Sequence, residues 1–287
     1  MNNSKEFPDT KKVFKACGTC SRTFFYNLNR EFGHLKENEE RASDLLAGGL
    51  MQTGHQCGML WGASLSIGVE CFRRYRDQNQ AQSAAISTSQ HLMKSFSETV
   101  GTVNCREVTG YDMTNFFDMI KFIFKVFKTG LMNSLCFNLA EKWVPDAIKA
   151  AHESLSFVPE SSKRTLVNCA CETARNMGAN DEEMAMVAGF AGGLGLSGNA
   201  CGALAAAIWM KTLDWCKKHP HKTPPYFNNS YAKKILKTFY RFTDSEILCR
   251  KITNQQFITA DDHSEFIKNG GCKTLISALS QQGNITL

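Results

Sequence analysis

Twelve cysteines fall six and six into the two halves of this 287-residue chain. Thiols in that number do two kinds of chemistry, metal ligation and disulfide exchange. Most of them repeat in register. Cys57 and Cys201 are 144 residues apart, as are Cys105 and Cys249, and Cys71 and Cys216 are 145 apart. Gly48, Gly49, Gly54, Cys57 and Gly58 recur as Gly192, Gly193, Gly198, Cys201 and Gly202. Cys105-Arg106-Glu107-Val108-Thr109 recurs as Cys249-Arg250-Lys251-Ile252-Thr253. A cysteine-bearing unit has been duplicated. An isolated cysteine is best read as a small buried hydrophobe, but positions kept in both copies point to chemistry.

The repeated Gly-Gly-x4-Gly-x2-Cys-Gly element is the most specific motif. Its glycines permit positive φ and close backbone approach. A cysteine that opens the next helix has free N–H groups beside it, which favour the thiolate. Cys57 and Cys201 fit that description, with Gly58 and Gly202 behind them. Cys57 and Cys71 lie fourteen residues apart on one expected helix, about 21 Å along its axis, and so cannot share a metal. The same holds for Cys201 and Cys216, so Cys71 and Cys216 read as buried structural thiols. Cys17 and Cys20 form a CxxC, whereas the second half has Cys169-Ala170-Cys171. That change argues against a thioredoxin-like dithiol and suits one ligand and one spare cysteine per pair. Four candidates remain in each half: Cys20, Cys57, Cys105 and Cys136, then Cys169, Cys201, Cys249 and Cys272. Four thiolates suit an iron–sulfur cluster or a structural zinc. Glycine-lined approach and N–H groups near sulfur favour iron–sulfur. His55 could join a metal shell, but its counterpart is Asn199, so it reads as a turn residue.

The order of these residues resembles the redox-active proteins of the C_GCAxxG_C_C family. Asn168-Cys169-Ala170, Gly192-Gly193-Leu194-Gly195, Cys201-Gly202-Ala203, Cys249 and Cys272 carry the likeness. Cys20, Gly48-Gly49, Cys57-Gly58 with Gly62, Cys105 and Cys136 repeat it, and Cys105 to Gly110 looks like the family's third-cysteine region. The resemblance implies an all-helical fold and a redox or metal-binding role. A related domain accompanies an iron–sulfur cluster in split-Soret cytochromes, although this chain has no CxxCH for attached haem. It departs from the pattern at Cys17-Gly18-Thr19-Cys20 and at Ala206, where a glycine is usual.

Strand signals are nearly absent and helical patterns dominate. The expected fold is all-α, two tandem pseudo-symmetric repeats packed as a bundle, spanning 1–158 and 159–287. In the first repeat helices are expected at 20–32, 38–47, 56–76, the last part of 78–100, 114–128 and 135–154. Gly33 ends the first and Gly48–Gly54 forms a turn. In the second, Asn180 and Glu183 mark a capped helix start, and the closely spaced prolines of 219–225 a loop. The first repeat has eight extra residues between its last two cysteines. They fall in the aromatic helix 116–128, whose Lys121, Lys125 and Lys128 share one stripe. Packing against the core or the other repeat, or a dimer interface, ranks there above membrane-surface contact.

Hydrophobic content is 43% and the net charge only +6, with acidic residues among the basic ones. No basic stripe suggests nucleic acid. Residues 45–69 and 185–210 lack charge, but polar residues at their centres suit paired buried helices better than membrane spans. The first twelve residues have no apolar h-region, so a cytoplasmic location is expected, where stable disulfides are rare. No Ser/His/Asp triad, Walker element or dinucleotide fingerprint occurs. The expected function is electron transfer through cysteine-held iron–sulfur clusters to a redox partner protein, with a homodimer possible. The alternatives are a thiol–disulfide oxidoreductase and a structural zinc protein without a redox role.

Overall fold

The computed structural model describes residues 9–157 and 165–283. The first repeat contains α1 (Thr10–Cys17), α2 (Cys20–Phe32), α3 (Glu37–Ala42) with a 3-10 turn at Ser43–Leu46, α4 (Gly58–Arg74), α5 (Gln78–Val100), α6 (Cys105–Thr109), α7 (Phe116–Thr129) and α8 (Leu135–Leu155). The second contains α9 (Cys169–Asn176), α10 (Asp181–Ala188), α11 (Gly202–Lys218), α12 (Ser230–Phe242), α13 (Cys249–Thr253), α14 (Ala260–Lys268) and α15 (Lys273–Gly283). Among the described residues there are no strands, only two isolated antiparallel bridges. The fold is an all-α bundle, as the sequence predicts. The expected boundary at 158/159 lies outside the described residues.

Local chemistry sets the helix ends. Thr19 caps α2 by accepting from the Arg22 N–H, and Asn168 caps α9 by accepting from the Cys171 N–H. The expected Asn180–Glu183 capping box is present at α10. Helix α5 is helical throughout, 23 residues from its Asp77 cap, not only over its last part. The helix expected at 38–47 instead splits into α3 and a tighter turn. Helix α1 carried no signal that the sequence reading used.

The apolar helices α4 and α11 are almost wholly buried and form the two axes of the core. Trp61 of α4, Trp209 of α11 and Trp143 of α8 are each fully buried, and each is worth a few kcal/mol in apolar burial. Helix α4 packs on α2 and α5 of its own repeat, and on α10 of the other. In return α3 packs on α11. The repeats thus exchange their second helices. Polar links follow the exchange: the Trp209 Nε1–H donates to the Glu39 carbonyl, and Arg41 donates to the carbonyls of Cys216 and His219. Gln56 joins the two glycine turns. Its Nε2 donates to the Gly193 carbonyl (2.8 Å), and its Oε1 accepts from the Ala200 N–H (3.0 Å).

Helix α7 does not pack into the core. None of its residues is buried, and Phe116, Phe117, Phe124 and Phe127 are largely exposed. Its inner side, through Met119, Phe122, Ile123 and Val126, faces a cavity instead.

Candidate functional site: two thiol quartets

Each repeat builds its site from a left-handed turn. Residues 48–52 all have positive φ (52° to 75°), as do residues 192–196 (58° to 86°). Glycine adopts this conformation without strain, but Leu50, Met51 and Gln52 do not. At about 1–2 kcal/mol per non-glycine residue, the first turn stores roughly 3–6 kcal/mol. The same backbone hydrogen bonds close both turns. The Gly54 N–H donates to Gly48 (3.0 Å) and the Gly198 N–H to Gly192 (2.9 Å). The reward lies at sulfur: the Gly48 N–H donates to Cys20, and the Gly192 N–H to Cys169.

A second clamp fixes the next two thiols. The Cys57 N–H donates to the Val103 carbonyl (2.8 Å), and the Cys105 N–H to the His55 carbonyl (2.6 Å). In the other repeat the Cys201 N–H donates to Ile247 (2.9 Å) and the Cys249 N–H to Asn199 (2.6 Å). These bonds make up the bridges Gln56–Asn104 and Ala200–Leu248, and so tie residues far apart in the chain.

The consequence is a common placement. Cys20, Cys105, Cys169 and Cys249 are the first residues of their helices, Cys57 and Cys201 are N-caps, Cys136 is the second residue of α8, and Cys272 directly precedes α15. In the first turn of α11 the N–H groups of Ala203 and Leu204 point at Cys201. Within each repeat the four thiols feel one another's charge: Cys57 and Cys105 each sense Cys20, as does Cys136, and Cys169 senses Cys201, Cys249 and Cys272.

The quartets differ in how they hold protons. The Cys57 thiol donates to the Cys20 sulfur. That bond, opposed by burial and helped by the Gly48 and Ser21 N–H groups, lowers the Cys20 pKa and raises that of Cys57. In the second quartet burial dominates and all four thiols are raised, Cys272 to about 12. Gly58 explains why a glycine follows Cys57: a Cβ there would stand 2.6 Å from the Cys20 sulfur and 2.7 Å from the Ala47 Cα. Gly202 meets the Phe190 carbonyl rather than a thiol, and Gly62 lets α4 approach the Ser21 carbonyl of α2.

The remaining cysteines stand apart. Cys71 and Cys216 are fully buried inside α4 and α11, and burial pushes Cys216 up to about 12. Cys17 ends α1 and faces the charges of Arg22, Glu40 and Asp44. Cys171 accepts from the Asn168 side chain and donates to the Met184 carbonyl. All twelve cysteines are unpaired. His55 sits in the turn with its pKa lowered by burial, and its backbone carbonyl, not its ring, supports the site.

The first quartet opens onto a cavity of about 270 Å³. Tyr226 and Phe227, from the 219–229 loop of the second repeat, line it with α7, and sequence reasoning missed both. Two adjacent aromatics closing a proline-rich loop were the available signal. Asp44 was also missed. It is fully buried, accepts from the Thr19 hydroxyl (2.7 Å), and has its pKa raised by burial to about 6.

The donor set fits a thiolate-held cluster, with four sulfurs per repeat and no carboxylate or imidazole among the residues lining the first quartet's cavity. Among the described residues, as they stand, no three His, Cys, Asp or Glu side chains are arranged to hold a metal ion.

The family model described as "Putative redox-active protein (C_GCAxxG_C_C)" matches the chain twice, over residues 18–154 and 163–282. The chain belongs to this redox-active family and carries its module in tandem. No curated protein and no solved structure matches it. Among the described residues no helix is long and apolar enough to cross a membrane.

Proposed function

We propose that the protein transfers electrons, with Cys20, Cys57, Cys105 and Cys136 holding one iron–sulfur cluster and Cys169, Cys201, Cys249 and Cys272 a second. One observation supports this reading above the others: in both repeats the same turn and the same bridge hold three cysteines of the four, and all four stand at or beside the start of a helix. A cluster so held supplies one-electron redox chemistry. The chain supplies thiolates, N–H donors from Gly48 and Gly192 to sulfur, and an apolar shell that limits water and tunes the potential. The partner is another redox protein, and unpaired thiols suit the cytoplasm. Anaerobic purification followed by iron, sulfide and zinc analysis tests this. Iron and sulfide in comparable amounts are expected, falling by about half in Cys201→Ser and unchanged in Cys216→Ser. Zinc without iron, or equal effects of the two substitutions, would overturn it.

The Cys57–Cys20 hydrogen bond favours a second reading, a dithiol that closes to a disulfide while a substrate disulfide takes up the two electrons and two protons and leaves as two thiols. A metal-free protein that reversibly loses two thiols on mild oxidation, but not as Cys57→Ser, would select it.

A further inference from the structure

The two quartets are alike, but their surroundings are not. Helix α7 has 14 residues where α14 has nine, and the α11–α12 loop runs over residues 219–229 where α4 and α5 are joined by residues 75–77 alone. These two enlargements come from different repeats, yet they meet at one place. Residues of α7, Tyr226 and Phe227 line the same cavity as Cys20, Cys57, Cys105 and Cys136. Apolar and aromatic side chains dominate the lining, and it includes no Asp, Glu, Lys, Arg or His. A charged ligand would leave its solvation there without compensation. Hydrogen-bonding groups are few: the Gln52 amide, the hydroxyls of Thr19, Thr109 and Ser134, and Tyr226. Burial raises the Tyr226 pKa, so its hydroxyl stays protonated and able to donate. The volume, about 270 Å³, lies just under the roughly 300 Å³ at which small-molecule sites begin, so at most a single ring fits beside whatever the four sulfurs hold.

We propose that this cavity binds one flat, uncharged quinone-like ring above the first quartet, between the inner side of α7 and Tyr226. Among the described residues the second quartet has neither enlargement beside it. The quinone class rests on the redox reading given above. The pocket and its preference for an uncharged ring do not.

Equilibrium dialysis of the full chain with tetramethyl-1,4-benzoquinone tests it, because that ring has no free position for a thiol to attack. One saturable equivalent per chain is expected. Val126→Trp and Met119→Trp, on the inner side of α7, should each weaken binding tenfold or more. Phe124→Trp, 74% exposed on the outer side, should leave it unchanged. None of these residues is buried, so the variants keep the fold. Absence of saturable binding, equal binding by Val126→Trp and the wild type, or equal binding of a fully substituted benzoquinone that carries a carboxylate would overturn the site. Binding without iron would keep the pocket and sink the cluster reading. Iron without binding would sink the pocket alone.

Discussion

Gly58→Ala is the sharpest perturbation of the first quartet. The added Cβ would stand 2.6 Å from the Cys20 sulfur and 2.7 Å from the Ala47 Cα, against 3.4 Å and more for ordinary contacts. Sulfur or helix must give by about 0.8 Å, and overpacking of that kind costs about 1–3 kcal/mol. The displaced sulfur is the one to which Gly48 and Cys57 hydrogen-bond, so those bonds are strained when it moves. Losing one hydrogen bond to a charged sulfur, about 1.5–3 kcal/mol, raises the Cys20 pKa by about one unit or more. Urea denaturation of metal-free protein should show the stability loss. The pH profile of iodoacetamide alkylation, read at Cys20 by peptide mass, should move up by about one unit or more. Gly68→Ala is the control. Its Cβ would overlap the Ala185 carbonyl of α10, about 15 Å further along α4. It should destabilise the fold without moving the Cys20 profile. An unchanged profile in Gly58→Ala, or an equal move in both variants, would refute the reasoning.

Two buried carboxyls make opposite predictions. Asp44 has its folded pKa raised to about 6 by burial, which outweighs the Thr19 bond and the charges of Arg22 and Arg41. Its contribution to stability is full below pH 4 and lost as pH rises through 6. Asp44→Asn should therefore exceed the wild type above pH 6 by up to about 3 kcal/mol in urea denaturation, with no advantage below pH 4. Glu70 is buried too, but bonds from Arg73, Arg74 and His34 outweigh its desolvation and hold its pKa at about 2. That contribution is present above pH 4.5 and lost as pH falls towards 2. Glu70→Gln should cost about 2–3 kcal/mol at pH 7, a difference that shrinks across that acid range.

Much of the site was legible because duplication let one half check the other. Cys57 and Cys201 could be placed at helix entrances from their glycines, and Cys71 and Cys216 set aside by helical rise alone. The sequence could not show how the four segments converge. That rests on the bridges Gln56–Asn104 and Ala200–Leu248, whose registry is tertiary. Nor could it show that Leu50, Met51 and Gln52 continue the left-handed turn, since propensity opposes all three. The aromatic pattern of 116–128 marks a helix with a broad apolar face, but periodicity does not say what covers it. Here one side faces a cavity and the other stays open. The exchange of α3 and α10 between repeats left no local signal, because both helices are short and their partners are fixed by tertiary packing.

Iron-edge X-ray absorption on the anaerobically purified protein tests the thiol quartets most directly. A first shell of sulfur alone, with iron–iron scattering beyond it, is expected, and it should persist in Cys71→Ser and Cys216→Ser. Nitrogen or oxygen in that shell, or iron that survives removal of both Cys57 and Cys201, would contradict it.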